Sequence, residues 1–193
     1  RIVEGYKNSP HYDNTVLVLW SDHGYHVGSK YHVAKQALWE TANNTVLLVH
    51  DPRNPATLDG QPRRQIVGLT DLYPTIAALA GVTPPVHNMG TDLTPLLNDP
   101  SGPEVRSVYL MTYQEGNHAV RTATHSLMRY RDGGIELYDD LQDPHQLQNL
   151  AGQARYTQLQ STLIASLDEL THGEIPAPQI KVDPKLKPNR EDD

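Results

Sequence analysis

Two unbroken apolar runs constrain this chain most: Thr15 to Trp20 (TVLVLW) and Thr45 to His50 (TVLLVH), separated by a stretch rich in Gly and His. Short continuous apolar runs bounded by turn residues predict strands covered on both faces, unlike the alternating pattern of a half-exposed sheet. Ahead of the first run, Ile2, Val3 and Tyr6 recur at helical spacing in RIVEGYK, and a polar connection containing Pro10 follows. No cap residue precedes this helix, so the chain is read as starting inside it. Helix, loop and buried strand together predict an α/β unit. The first run halts at Ser21, Asp22, His23 and Gly24, which sets a carboxylate and an imidazole side by side on a tight turn. Ligands of open α/β sheets gather at such carboxyl ends of strands, so the turn is a candidate site by position.

Beyond the second run, residues 51 to 65 are loop by their Pro, Asp and Gly content. TDLYPTIAALAG predicts a helix capped by Thr70 or Asp71, with Pro74 in its first turn and Gly81 at its end. Its expected apolar face is Leu72, Ile76, Leu79 and Ala80. From about Pro100 the pattern changes. SVYLMTY, HAVRTA and SLMRYR are short β-type segments, and Asp132, Gly133 and Gly134 turn the chain into IELYD, which predicts an antiparallel meander. A last helix is expected near residues 154 to 171, with Tyr156, Leu159, Leu163, Leu167 and Leu170 on one side. The tail from Gly173 to Asp193, rich in Pro and charge, is expected to be mobile.

Composition narrows the chemistry. The 193 residues carry a formal charge of -7 and no Cys. The acidic balance leaves no basic footprint for nucleic acid, and an anionic substrate needs a local cationic pocket. Without Cys there is no disulfide, thiolate metal site or cysteine nucleophile in the chain. No apolar stretch approaches a membrane span, and the first residues lack a signal-peptide pattern. The interior must be filled without Phe, by Leu, Val, Ile and ten Tyr.

An Asp and a His on one turn can both point at one centre, and a carboxylate suits a hard cation. Equally, Asp22 could cap the turn and His23 be an ordinary loop residue. The longer pattern SDHGYHVGSKYHVAKQALWE decides for chemistry: it resembles the second signature region of the sulfatases, in the iduronate-2-sulfatase-like branch of the alkaline-phosphatase-like superfamily. GLTDLYPTIAALAGVTPP, TDLTPLLNDP and HAVRTATHSLMRYRDGGIELYDDLQDPHQLQNLA are similar, in order, to later segments of the same family.

The resemblance implies the C-terminal portion of an alkaline-phosphatase-like α/β sulfatase domain, residues 1–100, then a small antiparallel-sheet and helix subdomain, 101–172, and a Pro- and charge-rich tail, 173–193. It implies that Asp22 is a metal ligand, usually of calcium, close to the nucleophile. His23, standing where many relatives have Asn, would complete the metal site, although nitrogen is an unusual donor for calcium. Lys35 would contact the sulfate, neutralising oxygens on which charge builds. His26, His32 and His118 are softer substrate-side candidates, each of which can equally be structural. The formylglycine nucleophile and a pair of Asp ligands are expected in an N-terminal half that is not in this sequence and would be the chain's partner; the chain alone is expected to be inactive. The expected substrate is a sulfated small molecule or glycan, and the family suggests a periplasmic, secreted or lysosomal setting. Departures from the family include Ser29 for Glu, Val33 for an aromatic residue, and Asn43 to Val46 for Thr-Arg-Val-Pro. Two alternatives stand: a phosphate or phosphonate ester hydrolase of the same superfamily, and a truncated, non-catalytic binding module.

Overall fold

The computed structural model describes residues 1–85 and 87–173. Helix α1 (Ile2–Lys7) leads through a 3₁₀ turn into strand β1 (Leu17–Trp20), which pairs antiparallel with β4 (Leu47–His50). Between them lie a two-residue hairpin, β2 (His26–Val27) with β3 (Val33–Ala34), and the one-turn helix α2 (Glu40–Asn43). The two apolar runs are thus strands, and neighbours. They are not covered on both faces: Leu19 and its partner Leu48 are about half exposed on one face, and Trp20 is about half exposed on the other.

Helix α3 (Leu72–Leu79) follows a 3₁₀ turn at Leu69–Asp71 and stops where Ala80 and Gly81 leave the helix. Its inward face differs from the expected one. Pro74, Thr75 and Ala77 are buried, whereas Ile76 is exposed. Hydrogen bonding explains the rotation. Thr75 Oγ1 donates to Asp71 O and accepts from Leu93 N, which ties the helix to the loop before α4 (Thr94–Asn98). Asp71 is wholly buried and its carboxylate accepts four hydrogen bonds, two from Arg106 at 2.6 and 2.7 Å and one each from the amides of Gly68 and Thr91. Burial alone pushes its carboxyl pKa up, but Arg106 and the two amides more than offset this and hold it below the usual value.

The C-terminal part is a four-stranded antiparallel meander of β5 (Tyr109–Thr112), β6 (His118–Arg121), β7 (His125–Arg129) and β8 (Ile135–Asp139), as the sequence predicts. The β7–β8 turn uses Gly133 at φ 91, a left-handed conformation that glycine adopts without penalty. Strand alternation gives the sheet two apolar faces. Val120, Leu127 and Leu137 pack with Leu163 and Leu167 of helix α5 (Thr157–Leu170). Ala119, Met128 and Tyr138, on the opposite face, pack with Leu38 and Trp39. The sheet is therefore a middle layer, with α5 on one side and the segment after the Asp-His-Gly turn on the other. Burying Leu38 there contributes about 1.5–3 kcal/mol by area. The tail beyond Gly173 lies outside the described residues.

Candidate active site

The turn after β1 is shaped by a close backbone approach. A Cβ at Gly24 would stand 1.9 Å from the carbonyl oxygen of Thr41, and Gly24 N donates to Ala42 O, so only glycine lets the turn press against α2. Ser21 braces the turn further, donating from Oγ to His23 O and accepting at its own carbonyl from Thr45 Oγ1.

Asp22 projects into solvent, with one carboxylate oxygen accepting from His23 N at 3.0 Å and the other 3.3 Å from His23 Nε2. His23 Nδ1 lies 2.8 Å from Gly24 O. A carbonyl can only accept, so Nδ1 carries a proton, and where Nε2 does not, its lone pair faces a carboxylate. Two facing acceptors call for a proton or a cation between them. An imidazole whose Nδ1–H is held by a backbone carbonyl also has the orientation found in metal-bound histidines. The donors fit part of a cation site. They do not fill it: calcium takes six to eight oxygens, and among the described residues no group of three or more His, Cys, Asp or Glu side chains assembles.

Lys35 is returned toward this turn by the β2–β3 hairpin. Pairing of His26 with Ala34 sets Lys35 one step beyond the ladder, level with Tyr25, which itself lies three residues past Asp22. Its side chain is exposed and makes no hydrogen bond or ion pair with the described residues.

The three softer candidates lie deeper. His26 is fully buried beneath the segment, with Nδ1 2.8 Å from Ser29 Oγ and its ring 5.2 Å from that of His32. Burial first, then the neighbouring His32, lowers its pKa. His118, on β6, hydrogen-bonds Thr112 Oγ1 through Nδ1, and burial with nearby Arg129 lowers its pKa too. Each of the three has a buried Nε2 without a partner. The structure thus brings Asp22 and His23 together and His26 and His32 together, with His118 on β6 next to Asn117, which lines a cavity.

Sequence reasoning assigned no role to the residues that hold the segment down. Lys30, at φ 54, donates from Nζ to Tyr138 OH at 2.8 Å and to Gln146 O, with the ammonium over the Trp39 and Tyr138 rings. Burial lowers its pKa, while Glu136 and Asp143 act in the opposite sense. Trp39 Nε1 and Tyr138 OH both donate to Glu136 Oε2 at 2.7 Å. Glu40 N donates to Gln146 Oε1, and the Glu40 carboxylate pairs with Arg121. Lys30, Trp39 and Glu40 belong to the Gly-Ser-Lys and Leu-Trp-Glu parts of the motif, which was the only signal for them. Beside this seam a cavity of about 250 Å³ is lined by His32, Gln36, Trp39, Tyr113, Asn117 and Tyr130, among others.

Comparison with known proteins fits this arrangement. Residues 28–173 match the family described as N-sulphoglucosamine sulphohydrolase, C-terminal. A sulfatase of Formosa agariphila is 34% identical over 157 residues, covering 81% of this chain and 30% of that protein. A delta 4,5-hexuronate-2-O-sulfatase of Bacteroides thetaiotaomicron is 27% identical over 192 residues, covering 94% of this chain and 40% of its own length. Among solved structures, a protein in complex with its substrate D-glucosamine-2-N,6-O-disulfate superposes with a TM-score of 0.76 at 22% identity, over 94% of this chain and 39% of that one. The chain spans 30–40% of the length of the curated relatives named here.

Proposed function

The chain belongs to the N-sulphoglucosamine sulphohydrolase C-terminal family of the sulfatases, and on that premise we propose that it forms part of an enzyme hydrolysing sulfate esters of a sugar or other organic alcohol. The observation that carries this reading is an exposed ammonium, Lys35, with no partner among the described residues, on a loop that returns it toward the Asp22 turn. In an acidic chain, an unpaired cation beside a metal-type turn suits a small dianionic or monoanionic group.

Lys35 would bind a sulfate oxygen and stabilise the negative charge that shifts as the ester bond breaks. Asp22, with His23 as second donor, would hold a divalent cation, most simply Ca²⁺. When bound, that cation supplies Lewis-acid stabilisation of the sulfate oxygens. The formylglycine nucleophile would lie in residues outside this chain, as would the remaining cation ligands. In this reading residues 1–100 complete the catalytic α/β domain and 101–172 form the subdomain that supports it. His32 and His118 are candidates for contacts to the alcohol, and His26 supports the segment from beneath. The organic part of the ester would sit in the aromatic-lined cavity beside Gln36, where ring faces and the Asn117 amide offer stacking and hydrogen bonding.

The test is release of inorganic sulfate from a sulfated monosaccharide or an aryl sulfate, compared between a longer polypeptide carrying this chain and residues 1–193 alone. The longer polypeptide is expected to turn over and the 193 residues to be inactive, because covalent catalysis needs a nucleophile that they do not encode. Turnover by residues 1–193 above a heat-killed control would contradict the division of labour. A longer polypeptide that cleaves phosphate or phosphonate monoesters and not sulfates would contradict the substrate class.

A further inference from the structure

Lys35 is unsupported by contacts of its own, yet the segment on either side of it is pinned to the same sheet. Five residues before it, Lys30 spans the seam to Tyr138 and to the backbone of Gln146. Three to five residues after it, Leu38 is buried against Ala119, Met128 and Tyr138, Trp39 donates to Glu136, and Glu40 N donates to Gln146. Lys30 (φ 54) and Gln146 (φ 53), which touch each other, are both left-handed without being glycine. Such conformations persist only where surrounding contacts over-determine them, and they cluster at functional sites. A flexible lysine on a free loop would be a poor electrostatic catalyst, since preorganisation is what gives a donor its effect.

We infer that the C-terminal sheet is the platform that positions Lys35 for the sulfate, and that Lys30 and Trp39 are positioning residues acting through Lys35. The inference rests on the role proposed above for Lys35. Lys30 itself has no sulfate to contact: its ammonium is spent on Tyr138, Gln146 and two aromatic faces. Its effect on the reaction is therefore indirect and disappears when Lys35 is absent.

The experiment is a double-mutant cycle in the active polypeptide that carries this chain, read as kcat and KM on an aryl sulfate. Lys30→Met, which keeps the aliphatic stem and removes the donor, is expected to lower kcat about ten- to a hundredfold with KM nearly unchanged, the scale of a small misplacement. In a Lys35→Ala background the same change is expected to cost nothing further, whereas a general loss of structure would cost the same in both backgrounds. Trp39→Phe keeps the ring beneath Lys30 and removes only the Nε1 donor. It is expected to give a smaller loss with the same non-additivity, and it carries the test if Lys30→Met does not fold. Losses that are equal in both backgrounds, or no loss in either variant beside a costly Lys35→Ala, overturn the inference alone. A silent Lys35→Ala overturns the role of Lys35 and the inference with it.

Discussion

The sheet of β5 to β8 with α5 and the pair β1–β4 with α1 draw on the same residue types and end in opposite states. In the first, Leu127, Leu137 and Leu167 have no exposed surface, and the two sheet faces are both covered. In the second, Ile2, Leu19, Trp20 and Leu48 remain substantially exposed. The contrast separates hydrophobicity from burial. The C-terminal region is closed on both faces, by α5 on one and by Leu38 and Trp39 on the other, whereas the β1–β4 pair leaves apolar residues open, and its neighbouring segment joins the sheet through Leu38 and Trp39 together with the polar links of Lys30 to Tyr138 and Gln146.

The largest effect should come from breaking the buried link of Asp71 with Arg106. Asp71→Ala leaves the Arg106 guanidinium and two amides without their acceptor and is expected to destabilise the chain by about 3–5 kcal/mol, measured by urea unfolding. Leu127→Ala, within the closed core, should cost about 2–5 kcal/mol by the same measurement. Leu19→Ala, on the open face, should cost no more than about 0.5 kcal/mol in residues 1–193. Equal costs for Leu127 and Leu19 would show that the two regions do not differ as described. Smallest is a pH dependence. Burial lowers the pKa of His26 and His118, so the unfolded chain binds more protons than the folded one as pH falls through the ordinary histidine range. Stability should therefore decline from pH 7 toward pH 5, and the decline should be shallower in His26→Gln.

How much of this was legible in the sequence follows the range of the interactions. The β7–β8 turn was readable because Asp132, Gly133 and Gly134 carry their own turn chemistry, and α5 because its leucines recur at helical spacing. Asp22 and His23 were readable as a unit because adjacency on a turn is local. The inward face of α3 was not, since it is set by Leu93 and Arg106, 18 and 35 residues beyond their partners Thr75 and Asp71. Nor was the seam that holds the Lys35 segment. Lys30 and Gln146 are 116 residues apart, and Trp39 and Glu136 are 97 apart. No periodicity reports pairs at that separation, and the family-like segments that contain both sides of each pair do not say which residues meet. The exposure of β1 was also hidden, because an apolar run states what a strand can bury and not what is there to cover it.

Lys35 is proposed to act on the reacting sulfate group from a loop that the sheet holds in place. Measuring kcat and KM of Lys35→Ala in the active polypeptide, with fold and metal content checked in parallel, tests it most directly. A loss of roughly two to three orders of magnitude in kcat is expected, the range for removing a preorganised electrostatic donor, with KM changed far less. An unchanged kcat with a raised KM would mean that the lysine supplies only uniform binding, and would contradict the claim.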